Sequence, residues 1–278
     1  MKEHEALVSL RNLNLEEHPP AAETGWSPPP PPPHLTEVEQ IIKYDFKNKE
    51  LLNEAFTHAS YKTDDCLSYE RLEYLGDSVL NHLVAKLHFN LYKDMAPGEL
   101  TRLRAANVDT EALARAALRH GLYKFLRHRK PLLDRQIQEF MEGIIEYPSH
   151  SYGMIDPPKV LADILESLIG AVFVDTDESM DDTWEVIRRL LQPLITPENL
   201  TQNRVSKLHE ACQKIGLKPY VKDLWEKTGQ IEFYINNELI GRGEYKLKRI
   251  IAVNRAADDA YNNLFGGKLG NKHGGIGA

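Results

Sequence analysis

The sequence is poor in cysteine and has no membrane-length apolar run. Its two cysteines, Cys66 and Cys212, lie far apart, and no Cys-x-x-Cys pair occurs. A disulfide framework and a thiolate zinc site are not expected, and a reducing, intracellular setting is, in the nucleus or the cytoplasm. No window of about 18 uncharged apolar residues exists, so neither a membrane span nor a membrane partner is expected. Residues 1–20 carry Lys2, Glu3, Glu5, Arg11, Glu16 and Glu17 without a continuous apolar stretch, which argues against an export leader. What the chain does have is 42% apolar and 27% charged residues, the proportions of a globular protein.

Charge and proline are unevenly placed. Residues 201–278 hold 13 Lys+Arg against 8 Asp+Glu, a balance of +5, while the rest of the chain stands at −12. An acidic body with a basic C-terminal segment hints at an appended nucleic-acid-binding module. Eight of the sixteen prolines fall in residues 19–33, ending in the run Pro28–Pro33. Residues 1–34 are read as a disordered arm whose polyproline rod serves as a spacer or docks a proline-binding groove. Residues 266–278 are read as a disordered glycine-rich tail.

Two patterned regions lie between. Residues 35–196 read as almost wholly helical, with Thr36 as a candidate N-cap for the first helix and an insertion over 127–156. Residues 197–202 form a linker. Residues 203–265 read as a small α+β domain of order α-β-β-β-α, with Asn236-Asn237 as a hairpin turn. The fold class expected is mainly α, a helical domain followed by this smaller one.

Two helices carry the chemistry. In residues 69–87, Glu70, Glu73 and Asp77 fall on one stripe, which Leu80 and Val84 continue toward a core. Carboxylates crowded on a half-buried stripe repel one another. In Val160–Val174 the only charged residues are Asp163 and Glu166, three apart on a helix otherwise apolar or small. A buried, unpaired carboxylate costs several kcal/mol or takes up a proton. Packed together, these helices bring Glu73, Asp77, Asp163 and Glu166 into one oxygen-rich cluster suited to a hard divalent cation such as Mg²⁺, with Mn²⁺ as a substitute. No histidine shares the spacing, which argues against zinc or di-iron. Lys159, four residues before Asp163, points to the same side. For Glu70 and Glu73 a solvated helix face paired with Arg71 or Arg102 is the plainer alternative. Leu72, Leu75 and Val79 could serve either the core or an interface.

Several stretches resemble the ribonuclease III family. Tyr69-Glu70-Arg71-Leu72-Glu73-Tyr74-Leu75-Gly76-Asp77-Ser78-Val79-Leu80 is similar to its signature, with Tyr69 where the family has Asn and Tyr74 where it has Phe. Ala55–Tyr61, Gly98–Arg104 with Asn107, and Leu161–Ala171 resemble further family motifs. The resemblance implies a nuclease domain over 35–196 and a double-stranded-RNA-binding domain over 203–265, most like small plant ribonuclease III-like proteins. It implies Glu73, Asp77, Asp163 and Glu166 as metal ligands, Glu70 as a supporting acid, and Asp77, Glu166 and Lys159 as catalytic, the lysine meeting phosphate. It also implies hydrolysis of double-stranded RNA to 5′-phosphate and 3′-hydroxyl ends, with two nuclease domains paired as a homodimer. Loss of one acid would instead leave a non-catalytic RNA-binding protein; all four are present here.

The RNA-binding resemblance is uneven. Lys207, His209, Glu210 and Gln213 line the first helix, and Lys246, Lys248 and Arg249 precede or open the last. Lys227-Thr228-Gly229-Gln230 lacks the family's Pro and His, and the phosphate-binding stretch is depleted: without gaps Lys248 and Arg249 match its first two lysines and Ala252 falls on the last, whereas alignment on Asn254-Arg255-Ala256-Ala257 leaves Arg249 as the only match. Fewer phosphate contacts imply weaker, less salt-sensitive binding.

Overall fold

The structure, a computed structural model, describes residues 35–61 and 67–266. The proline run Pro28–Pro33, Cys66 and residues 267–278 of the tail lie outside the described residues. The chain divides into two compact units. One comprises the described residues up to Pro148 together with Pro157–Glu198; the other comprises Ser149–Asp156 together with the described residues from Asn199. The sequence placed all of 35–196 in one domain, whereas Ser149–Asp156 belongs with the C-terminal unit.

The first unit is helical: α1 Thr36–Ile42, α2 Lys49–Ala55, α3 Glu70–Leu91, α4 Pro97–Val108, α5 Thr110–Arg119, α6 Leu133–Glu146, α7 Lys159–Asp175 and α8 Met180–Leu191, with a 3₁₀ turn at Leu122–Phe125. Side-chain caps set several starts. Asn48 accepts from the Glu50 N–H, Asp109 from Ala112 and Ser179 from Asp182, each satisfying an amide that the helix leaves unpaired. Thr36 is not a cap: α1 starts at Thr36, and the Leu35 side chain makes no cap bond. No helix among the described residues is long and apolar enough to cross a membrane.

α7 is the axle of this unit, buried along nearly its whole length, as fifteen residues with two charges require. It pairs more extensively with α3 than any other two elements pair. The reason is a glycine on each side. A Cβ added at Gly76 would lie 1.8 Å from the Glu166 carbonyl oxygen, and one at Gly170 would lie 2.2 Å from that of Leu72. The two backbones are therefore in direct contact. Leu72 and Val79 of α3 are buried, 6% and 3% exposed, which places them in the core rather than at an interface. Gly76→Ala drives a methyl into backbone that no rotamer change can move aside. We expect it to cost at least about 3 kcal/mol of stability, read from urea unfolding; a loss under about 1 kcal/mol would contradict so close a crossing.

The second unit is built from α9 Arg204–Lys214, β1 Tyr220–Leu224, α10 Trp225–Thr228, β2 Gln230–Ile235, β3 Glu238–Glu244 and α11 Arg249–Phe265. The strands form an antiparallel sheet in the order β1-β2-β3. Asn236 and Asn237 both take positive φ, 50° and 68°, the backbone a two-residue hairpin turn requires. Strand character in 220–227 stops at Leu224: Asp223 accepts the Trp225 N–H at 3.0 Å, and the Trp225 indole donates to the Tyr245 carbonyl at 2.7 Å. These bonds turn the chain into α10, which adds a helical turn to the expected α-β-β-β-α order. Gly241 and Gly243 of β3 leave no side chain between sheet and α11, so Ala252, Ala256 and Ala260 pack on bare backbone. Leu208, Cys212, Ile231 and Phe233 complete this core. Cys212 is 0% exposed, a thiol of this core.

Candidate active site

The α3–α7 crossing brings together acids ninety residues apart in sequence. Oxygens of Glu73, Asp163 and Glu166 lie within 4.8 Å of one another. Asp163 is buried, 6% exposed, while Glu73 and Glu166 are half-buried. Asp77, one turn further along α3, is exposed and stands outside this triplet, yet its charge bears on Glu166. Burial first, then the repulsion of Asp77, Asp163 and Glu73, pushes the Glu166 carboxyl up to about 8, against the opposing pull of Lys159.

Lys159, at the first turn of α7, bridges two of the acids. Its Nζ lies 2.7 Å from Glu73 Oε1 and 2.5 Å from Asp163 Oδ1. Burial opposes the ammonium, but these two hydrogen bonds outweigh it and hold the pKa of Lys159 above the usual lysine range. Four carboxylates against one ammonium leave three negative charges unbalanced if all ionise. The ligand set is oxygen only, it is presented by rigid helices, and it already holds a cationic group. These are the properties a divalent cation requires.

Three further residues shape the cluster. Tyr69 is 3% exposed, and its phenol donates to Asp163 Oδ2 at 3.1 Å. The Tyr69 backbone N–H bonds the Thr57 carbonyl at 2.9 Å, and the ring meets His58 edge-on at 5.7 Å. The Thr57-His58-Ala59-Ser60 stretch thus seats the tyrosine. Asn81 donates from Nδ2 to Asp77 Oδ1 at 2.7 Å, and Arg104 donates to Asn81 Oδ1 at 2.9 Å. Sequence reasoning missed all three. Tyr69 was visible only as a departure from the family's Asn. Asn81 was visible as the residue one helical turn past Asp77, and Arg104 closes a motif noted only for its resemblance. Tyr69→Phe keeps the ring and removes one O–H on Asp163. It should cost about 1 kcal/mol of stability and raise severalfold the metal concentration giving half-maximal binding, read by calorimetry; unchanged metal affinity would remove Tyr69 from the site.

The remaining candidates fall elsewhere. Glu70 is exposed and accepts the Ser68 hydroxyl at 2.8 Å, apart from the carboxylate triplet. In the second unit, His209, Glu210 and Gln213 are exposed on α9. Lys207 instead lies 4.0 Å over the Tyr261 ring, a cation–π contact that turns its charge onto the protein. Lys246, Lys248 and Arg249 are exposed just before and at the start of α11. Arg249 is paired with Asp223, its Nε 2.7 Å from Oδ2.

With this geometry in hand, comparison with known proteins is direct. Residues 70–177 match the Ribonuclease III domain, a span that contains α3 and α7. The chain is 47% identical over 253 residues to Ribonuclease 3-like protein 3 of Oryza sativa subsp. japonica, covering 90% of this chain and 84% of that protein. It is 40% identical over 240 residues to Ribonuclease 3-like protein 2 of the same organism, covering 83% and 75%. Similarity to Endoribonuclease Dicer homolog 1 of Arabidopsis thaliana, 40% over 221 residues, covers 77% of this chain and 12% of that protein.

Proposed function

The chain belongs to the ribonuclease III family, and on that premise we propose that it cuts double-stranded RNA at the α3–α7 carboxylate cluster, using Mg²⁺. It is an endoribonuclease dependent on a divalent metal. The observation that carries the site assignment is the convergence of Glu73, Asp163 and Glu166 within 4.8 Å on two helices whose backbones touch. A non-catalytic RNA-binding role is not favoured, because all four acids are present and three of them converge.

Glu73, Asp163 and Glu166 would hold the cation, with Asp77 at the solvent side of the cluster. A divalent cation there supplies neutralisation of the scissile phosphate and acidification of the attacking water. Tyr69 holds Asp163 in place, while the Asn81 amide, set by Arg104, holds Asp77. Lys159 is mostly exposed beyond its two carboxylate bonds. With a cation held by Glu73 and Asp163, the Lys159 ammonium would be free at the rim to meet a backbone phosphate. In line with the family resemblance, the products carry 5′-phosphate and 3′-hydroxyl ends. In the second unit, His209, Glu210, Gln213, Lys246, Lys248 and Arg249 are the residues facing RNA, with the lysines and Arg249 on phosphates.

One nuclease domain offers one set of acids, so cutting both strands together calls for a second copy of the chain. A homodimer is part of this reading; Tyr74, 80% exposed on α3 next to Glu73, is a ring that a second copy would cover. The experiment is cleavage of a long double-stranded RNA with Mg²⁺, with Mn²⁺ and with EDTA, followed by end-mapping. Discrete duplex products with 5′-phosphates, lost in EDTA, are expected. Intact RNA under every metal condition would overturn the proposal.

A further inference from the structure

We propose that Ser149–Asp156 acts as an internal competitor of RNA, holding the phosphate-facing end of α11 through Asp156. The inference rests on the reading of Lys248 as a phosphate contact.

The segment is a built element of the second unit, not an idle loop. Ser151, Met154 and Ile155 are 1%, 5% and 6% exposed. The Ser151 hydroxyl oxygen accepts the Met154 N–H at 3.1 Å, closing a tight turn. Gly153 sits at φ +88°, and a Cβ there would lie 2.3 Å from the Asn254 amide nitrogen. α11 grips the turn from one side: Asn254 donates to the Gly153 carbonyl at 3.2 Å, and Arg255 donates to the Met154 carbonyl at 3.0 Å. The turn delivers Asp156 to the start of that helix. Asp156 Oδ1 lies 2.5 Å from Lys248 Nζ, and Oδ2 accepts the Tyr245 hydroxyl at 3.2 Å.

The chemistry of that contact is the chemistry of a phosphate. An anionic oxygen sits on the ammonium, and a hydroxyl donates beside it. The Asp156 side chain is 16% exposed and the Lys248 side chain 51%, so the acid is fixed while the lysine stays open to water. With the ammonium half in water the pair is screened on one side, and a duplex backbone, dense in negative charge, competes for the lysine. Binding RNA through Lys248 therefore means breaking an existing pair and bringing phosphate close to a seated carboxylate. Arg249 meets a similar obstacle in Asp223. The modest basicity of this domain is thus curtailed further by its own acids.

The test measures binding, not cleavage, on the full chain in EDTA. A fluorescent RNA duplex is titrated across a range of KCl for wild type, Asp156→Asn, and Asp156→Asn combined with Lys248→Gln. Asp156→Asn keeps a side chain of the same shape, leaves one oxygen to accept and removes the charge. It is expected to tighten binding roughly three- to tenfold and to steepen the log–log salt dependence by about one phosphate contact. Adding Lys248→Gln should cancel both changes. Should Asp156→Asn fail to fold by circular dichroism, Asp156→Ser, which also removes the charge from Lys248, should give a gain of the same sign. Affinity and salt slope equal to or below wild type in the folded variant would overturn the proposal, as would a gain that survives Lys248→Gln. Wild type that binds and cuts RNA while Asp156→Asn shows no gain overturns the internal competitor alone. Wild type that neither binds nor cuts takes the functional reading with it.

Discussion

Glu166→Gln should reduce cleavage by about a thousandfold or more at saturating metal, which corresponds to at least about 4 kcal/mol of transition-state stabilisation. The effect is electrostatic. Glu166 is the acid on which the charges of Asp77, Asp163 and Glu73 all bear. Its carboxylate turns a crowded set of acids into a cation site, and glutamine offers one neutral oxygen in its place. Below about pH 8 the change replaces one neutral side chain by another, and above it the change removes a repelled charge, so the variant should unfold at the same temperature as wild type or higher, the trade expected where a site is built against stability. Loss of cleavage with retained stability separates a chemical defect from a folding one. Glu70→Gln is the contrast. Glu70 shares the sequence stripe with Glu73 but is bonded to Ser68 at the surface, so its replacement should alter the rate by no more than about threefold. Cleavage by Glu166→Gln at the wild-type rate, measured in single turnover, would place the chemistry elsewhere.

The contrast between Glu70 and Glu166 shows what periodicity can and cannot read. Spacing of three and four puts Glu70, Glu73 and Asp77 on one side of α3, and this is a property of any helix. Which of the three faces a partner is set by the crossing point of α7, and that point depends on Gly76 and Gly170 meeting backbone to backbone. Both glycines are plain in the sequence, but a glycine in a helix signals close approach only once the opposing helix is known. Asp163 and Glu166 were legible for the opposite reason: two acids on a helix otherwise apolar or small are poorly explained by a solvated face. Tyr69, Asn81 and Arg104 were not legible, because each acts on an acid through one hydrogen bond whose partner only the tertiary fold supplies. Ser149–Asp156 looked like the end of an insertion, and its role in the second unit depends on contacts with residues 89 to 101 positions away.

The acids also make stability and metal binding depend on pH with a definite sign. In the unfolded chain Glu166 titrates near 4.5, and in the folded chain near 8. Between these values the folded protein holds a proton that the unfolded chain has released. The stability this confers is fully present below pH 4.5 and is lost as pH rises through 8. An undiscounted linkage gives a ceiling of about 5 kcal/mol; because the site is open to water on one side, roughly 2–3 kcal/mol is expected. Urea unfolding in EDTA from pH 5 to 8.5 should show this decline, and Glu166→Gln should flatten it. Adding Mg²⁺ should oppose it, because the cation binds the ionised carboxylate and must expel the proton. Near neutral pH the apparent Mg²⁺ affinity should therefore climb with pH, by up to about tenfold per unit, and level off above 8. Calorimetry in buffers of differing ionisation enthalpy should detect about one proton released per site at pH 7. A stability profile in EDTA that falls as steeply in Glu166→Gln as in wild type would mean that the buried proton sits on another group, and that Glu166 is not the residue through which the metal site titrates.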